Sequence, residues 1–215
     1  MIMNDDIQIL ENEVCYLLDN VSHTASVVAS ADGKYKGNVV IAPQVCYGGV
    51  TFIVTYIAKN AFAQCEELLS VDIPNSIDSI GWEAFSGCTG ITAIHIPNSI
   101  KNMGWGAFQG CTGLSDVTIE EGVQTIGVSA FVQCTNLTTI TFPDSVREIF
   151  PWAFAECSRL ETIYLGSHIE RVDMTAFDEC SALQAVYVPK GCREQLCKTD
   201  IRIPSSAIII DCSKL

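Results

Sequence analysis

Residues 81–97 read GWEAFSGCTGITAIHIP, and residues 104–120 read GWGAFQGCTGLSDVTIE. The two stretches begin 23 residues apart, and that interval organises most of the chain. Phe62, Phe85, Phe108, Phe131, Phe154 and Phe177 keep it, each directly after an alanine. Cys65, Cys88, Cys111, Cys134, Cys157 and Cys180 follow three residues later, and Leu68, Ile91, Leu114, Leu137, Leu160 and Leu183 three later again. Then come Val71, Ile94, Val117, Ile140, Ile163 and Val186, and two residues on Ile73, Ile96, Ile119, Phe142, Leu165 and Val188. Apolar residues held in phase over six copies are the mark of a solenoid, in which each repeat buries its face against the next.

The spacing within one repeat predicts the shape of a coil. Phe, Cys and Leu at steps of three suit a tight helical or 3₁₀ turn with one buried edge. Leu-x-x-Val-x-Ile-Pro ends in alternation of period two, which predicts a short strand. Proline closes the strand, with Glu120 and Gly166 in its place in two copies, and Asn-Ser or Asp-Ser makes a corner. A second extended stretch, as at residues 77–80, leads through Gly81, Gly104 or Gly127 back to the Ala-Phe turn. Seven or so large apolar side chains per coil, at about 2 kcal/mol each, do not offset a backbone ordering cost of about 1–2 kcal/mol per residue. Stacking has to supply the difference. Coils about 4.8 Å apart would form a parallel sheet roughly 25–30 Å long.

The pattern IPNSIDSIGWEAFSGCTGITAIHIPNSIKNMG resembles the BspA-like leucine-rich repeat, found in secreted and surface proteins of gut and oral Bacteroidetes and of some protists. The resemblance extends over about residues 37–190. It implies a leucine-rich-repeat solenoid of right-handed stacked coils with a parallel sheet, capped at both ends. It also implies adhesion or surface binding rather than catalysis, and an extracellular or cell-surface location. YKGNVVIAPQVCYGGVTFIVTYIAKNAF resembles the start of such arrays, a degenerate first coil over 37–60 widened by a hairpin at Tyr47-Gly48-Gly49. VYVPKGCREQLCK resembles their end, a last strand followed by a short capping helix from about Arg193. Glu120-Glu121-Gly122 in place of Pro-Asn-Ser, and Phe150-Pro151 in place of Gly-x, depart from the repeat.

Residues 1–36 lack the repeat. Glu13–Leu18 and Thr24–Ala29 are apolar-rich runs around Asp19-Asn20-Val21-Ser22-His23, which predicts a hairpin cap over the open end of the stack. Residues 191–215 form the opposite cap, with one or two strands expected from IRIPSSAIIID. The opening MIMNDDIQILENE carries acids where a secretion signal has a basic region. The chain as it stands is therefore expected to be cytosolic, or a form from which an export signal has been removed. No apolar run approaches the roughly 20 residues of a membrane helix, so no membrane insertion is expected.

A net charge of −13 argues against nucleic acid and anionic membrane surfaces, both of which need clustered Lys and Arg. It leaves protein and glycan as partners. No glycine loop of the phosphate or dinucleotide type is present, so no cofactor is expected. The cysteine ladder lacks the paired spacing of a metal site, since its thiols point one way at coil intervals. Small and weakly polar, Cys suits a tight inner corner, and with the Phe ladder it is expected to be structural. Eleven cysteines without paired spacing suggest reduced thiols. A cap disulfide such as Cys192–Cys197, or one using Cys212, is the other possibility.

By register His95 faces outward, one coil from Asp72 and Thr118, but a Thr–His–Asp relay on a flat sheet has no pocket to exclude water. No catalytic residue is assigned, and no metal site, a weak calcium set of Asp116, Glu120 and Glu121 being less favoured than a solvated acidic edge. The outward stripe of the strand is the better binding candidate: Asp72, His95, Thr118, Thr141, Tyr164 and Tyr187, with the two tyrosines stacked. A ligand-free β ladder explains its threonines equally well. Trp82 and Trp105 share one slot between glycine and the Ala-Phe turn, with Trp152 shifted by one. Stacked, they would make a platform for sugar or protein; lateral packing on the solenoid edge is the competing reading. The function these residues suggest is a non-catalytic interaction or adhesion module, with a ligand-free structural spacer as the alternative.

Overall fold

In each repeat the alternating Val-x-Ile segment turns its apolar residues inward, and in the computed structural model it forms a short strand. The structure describes residues 7–31, 34–189 and 207–211. The leading strands are β1 (Ile7–Glu11), β2 (Val14–Asp19), β3 (Thr24–Val28), β4 (Gly37–Val40), β5 (Gln44–Tyr47) and β6 (Val50–Ile57). Each coil then contributes a longer and a two-residue strand: β7 (Leu68–Asp72) and β8 (Ser79–Ile80), β9 (Ala93–Ile96) and β10 (Asn102–Met103), β11 (Asp116–Ile119) and β12 (Thr125–Ile126). They continue as β13 (Thr139–Thr141) and β14 (Glu148–Ile149), and β15 (Thr162–Tyr164) and β16 (Arg171–Val172); two four-residue strands follow, β17 (Ala185–Val188) and β18 (Ile208–Asp211).

These strands stack into two faces. On one, β4 pairs β7, β9 pairs β11, and β13, β15, β17 and β18 follow in order, all parallel. The repeat register is kept, with Thr118 opposite His95 and Tyr187 opposite Tyr164. On the other face β3, β6, β8 and β10 run parallel, followed by β12, β14 and β16. The second strand is shorter than the sequence suggests, because its first apolar residue belongs to the corner: Ile77 N donates to Pro74 O at 3.1 Å, and Ile100 N to Pro97 O at 3.1 Å.

The Ala-Phe segment forms no helix among the described residues. Short turns recur, as Cys88 N to Phe85 O at 3.2 Å, but left-handed residues two before and two after each phenylalanine from Phe62 to Phe154, and two after Phe177, interrupt them. Around Phe85 these are Glu83 and Gly87, at φ 52° and 72°. That alternation turns every second N–H along the solenoid axis. Phe62 N donates to Ala84 O at 2.7 Å, Phe85 N to Ala107 O and Phe108 N to Ala130 O at 2.8 Å. Alternate donors bond to the next coil and the others close turns within the segment, so backbone donors at this corner are satisfied without a helix.

Inside, Phe62, Phe85, Phe108, Phe131, Phe154 and Phe177 form one column, with ring centroids 4.8–5.6 Å apart and neighbouring planes within 17°. Tyr35 closes its first end, 4.6 Å from Phe62. The Tyr35 hydroxyl accepts from Cys15 N at 3.0 Å and donates to Val28 O at 2.6 Å, while that of Tyr16 accepts from Ala42 N at 3.0 Å. Burial pushes both phenols above their ordinary range.

The hairpin expected near the start is present as β2 and β3, and two features went unforeseen. β1 adds a third antiparallel strand, and β3 pairs parallel with β6, so this cap continues the second face. β5 and β6 form the widening hairpin, with Gly48 and Gly49 at φ 59° and 82°, the backbone of a two-residue turn that glycine adopts without a Cβ clash. At the far end β18 extends the first face, as one of the expected strands. The helix expected from Arg193 and the cysteines Cys192, Cys197 and Cys212 lie outside the described residues. Cys15 and Cys46 are unpaired thiols.

Candidate binding surfaces

The ladder cysteines sit where the corner turns inward. Cys88, Cys111, Cys134 and Cys157 are wholly buried. Each donates to the carbonyl of the preceding coil's phenylalanine: Cys88 Sγ to Phe62 O at 3.0 Å, Cys111 to Phe85 O at 3.2 Å, Cys134 to Phe108 O at 3.4 Å and Cys157 to Phe131 O at 3.2 Å. Cys180 does the same to Phe154 O at 3.1 Å. Desolvation raises these thiols, to about 12 for Cys111 and Cys180, so the nucleophilic thiolate is suppressed. Among the described residues no group of three or more His, Cys, Asp or Glu gathers as metal ligands would.

The outward stripe is continuous across the first face. Asp72, His95, Thr118, Thr141 and Tyr164 are exposed and Tyr187 is half-buried. Tyr164 and Tyr187 stack at 4.6 Å with planes 12° apart. The register adds Val40 opposite Asp72 and Ile210 opposite Tyr187, which the repeat period alone did not reach because both lie outside it. His95 does not join Asp72 and Thr118: its Nε2 pairs with Glu120 Oε1 at 2.9 Å. The relay considered from the sequence is therefore not assembled.

Glu120 and Glu121, the residues that replace Pro-Asn, act as clasps between coils. Glu120 Oε2 accepts from Asn98 N at 2.8 Å, one coil back. Glu121 accepts from Asp144 N at 2.9 Å and Ser145 N at 3.1 Å, one coil forward. Asp144 repeats the device, accepting from Ser167 N at 2.7 Å. The Asn98 N–H holds Glu120 below its ordinary value, and the Ser167 N–H does so for Asp144. Because the two glutamates diverge to opposite neighbours, they do not form a calcium site with Asp116.

All three tryptophans are exposed: Trp82 by 60%, Trp105 by 46% and Trp152 by 50%. No ring contact joins Trp82 to Trp105, so the stacked arrangement, one of the two readings of their shared slot, is not formed. Lys59 Nζ instead sits 5.7 Å from the Trp82 ring centroid, over its face. Trp152, shifted by one position, occupies the left-handed slot at φ 55° and is not among the residues lining the trough.

Between the indoles and the second face runs a trough of about 380 Å³. Gly81, Gly104 and Gly127 form its floor, and Phe150 occupies the same slot one coil further on. A Cβ on Gly81 would lie 2.6 Å from Lys59 N, and one on Gly104 2.5 Å from Gly81 C, so the coils approach too closely there for a side chain. Tyr56 flanks the other end, its hydroxyl 2.7 Å from where a Gly81 Cβ would be. Tyr56 and Phe150 were not singled out from the sequence, although the Phe150-Pro151 departure was a visible signal.

Stacked coils with two faces of largely parallel strands and an aromatic core column define a leucine-rich-repeat β-solenoid. The BspA type leucine rich repeat region matches residues 54–195 in six copies. The chain belongs to that family. A leucine-rich repeat protein from Eubacterium ventriosum is similar in structure, with a TM-score of 0.71 and 21% identity over 98% of this chain and 49% of that one. This chain thus spans about half the length of that relative. The leucine-rich repeat protein of T. pallidum has a TM-score of 0.54 and 22% identity over 91% of this chain and 79% of its own. The pneumococcal vaccine antigen PcpA has a TM-score of 0.54 and 15% identity, over 86% and 72%. At these identities the likeness concerns the fold. No curated protein is significantly similar in sequence.

Proposed function

We propose that this chain is a non-catalytic recognition module of a bacterial surface or secreted protein, binding a protein or glycan through an exposed face of the solenoid. One observation carries the reading: all three tryptophans stand exposed while the phenylalanines of the adjacent corner are buried. Burying a tryptophan is favourable, so leaving three in water on a core this complete makes sense where a partner covers them. The Tyr164–Tyr187 stack offers a second such surface on the opposite side of the coil. The family's association with surface proteins supports an extracellular location.

The alternative is a structural spacer with no ligand of its own, favoured by the threonine-rich middle of the stripe at Thr118, Thr139 and Thr141. The two readings separate on a glycan array and a panel of immobilised extracellular-matrix proteins. The wild-type chain is compared with the Trp82→Ala, Trp105→Ala and the Tyr164→Ala, Tyr187→Ala double variants. Recognition predicts binding that one pair of substitutions weakens by about tenfold or more. Absence of any binding would leave the spacer.

A further inference from the structure

Resting on the recognition-module reading, we propose that the trough between Tyr56 and Phe150 binds a neutral oligosaccharide lying along the solenoid axis, held against Trp82 and Trp105. Three observations converge on this ligand class.

The first is charge. The chain carries 12 Lys and Arg and 25 Asp and Glu, yet the trough is lined by none of them. Its polar groups are neutral: the hydroxyls of Tyr56 and Ser79 and the amide of Asn102. The charges beside the lining are of opposite sign, Lys59 over Trp82 and Asp78, which accepts from the Ser79 hydroxyl at 2.8 Å, so an ionic glycan or peptide gains no net attraction, whereas sugar hydroxyls can exchange hydrogen bonds with amide and hydroxyl groups.

The second is the aromatic pair. Trp82 and Trp105 are not stacked on each other, so each indole keeps a face for a partner. Lys59 Nζ lies over one face of Trp82, 5.7 Å from its centroid. The axial C–H groups of a pyranose pack on such faces, and the ring supplies large contact area with few rotors to order.

The third is step length. Trp82 and Trp105 are one coil apart, and over these coils the core rings repeat every 4.8–4.9 Å. The buried column sets the rise per coil, so an extended sugar chain lying along the axis would pass the two indoles in turn. Phe150 fills the glycine slot and ends the run. A peptide is less well served, because β8 is already bonded on both sides by β6 and β10 and offers no strand edge for backbone pairing.

The test is titration of the purified chain with neutral gluco-, manno- and N-acetylglucosamine oligosaccharides, with sialyllactose and a heparin fragment as anionic comparators. Calorimetry and indole fluorescence are the readouts. The expected result is saturable binding of at least one neutral series and none of the anionic pair. Trp82→Ala and Trp105→Ala should each weaken it by about tenfold or more. So should Asn102→Tyr, which fills the trough from an exposed strand position and leaves both indoles in place. Met174→Ala, in the tryptophan slot but beyond Phe150, should leave affinity unchanged. Equal thermal midpoints would show that each variant is folded. Binding that prefers the anionic glycans, survives all three trough substitutions, or occurs in no neutral series overturns the proposal. If glycan or protein binding is instead lost in the Tyr164→Ala, Tyr187→Ala variant, the trough assignment falls while the recognition module stands. If neither sugar nor protein binds, both fall.

Discussion

At the scale of single residues, the six cysteines look reactive and their surroundings make them inert. Each interior thiol is spent on a carbonyl of the coil before it, and burial raises its pKa. Alkylation of the native protein at neutral pH, followed by peptide mapping, should label exposed Cys46 and spare Cys88, Cys111, Cys134 and Cys157 until denaturant is added. Trp152 makes a different point. A bulky residue at φ 55° is held in a conformation that costs about 1–2 kcal/mol for side chains other than glycine. Asn tolerates that region. Trp152→Asn should therefore change stability by no more than about 1 kcal/mol, relief of strain offsetting lost contact. Phe154→Ala, two residues on and wholly buried, should cost about 3–5 kcal/mol. Thermal melts of the two variants compare them directly; similar losses would contradict this account of the corner.

At the scale of elements, the coils are joined through three segments, although the strand ladders break between β7 and β9, β11 and β13, and β10 and β12. Two are the strands, and the third is the Ala-Phe corner with its axial N–H groups. The sequence pointed to the strands through period-two alternation but suggested a helical turn for the corner. Steps of three are common to a helix and to this ladder, and the outcome rests on the left-handed residues beside each phenylalanine. Several of those are Glu, Gln or Ser, whose identity does not announce a positive φ. The cap shows the same division. The β2–β3 hairpin was legible, whereas the parallel pairing of β3 with β6 depends on Tyr35 and Tyr16 tying the cap to the first coil. Tyr35→Phe would leave Cys15 N–H and Val28 C=O without their shared partner. It should destabilise by about 1–3 kcal/mol and speed amide exchange in β2 and β3 before the rest.

At the scale of the whole molecule, the acidic surface and the carboxylate clasps set the response to pH. Glu120 and Asp144 have folded pKa values below their ordinary 4.5 and 3.8. The folded state binds fewer protons at these sites, so their contribution is complete above those ordinary values and disappears as pH falls through the lowered ones. Stability should thus decline along an acid limb below about pH 4.5. A Glu120→Gln, Asp144→Asn variant, which keeps acceptors but cannot titrate, should show a shallower limb in melts between pH 2 and 7. An unchanged limb would assign acid sensitivity to other groups.

The order of residues alone makes the solenoid legible. A 23-residue period, one apolar residue type in each phase and one coil's need for neighbours leave no other way to bury the core. It also named the aromatics of the exposed stripe and edge, because they break the repeat's own rule. What those residues face emerges from the stacked coils. That His95 meets Glu120 rather than Asp72, that Trp82 lies under Lys59 rather than on Trp105, and that Phe150 ends a glycine-floored trough all follow from side-chain direction across coils. Residues a full repeat apart become neighbours only after stacking, and the period that predicts their adjacency is silent about the rotamers that decide their contact.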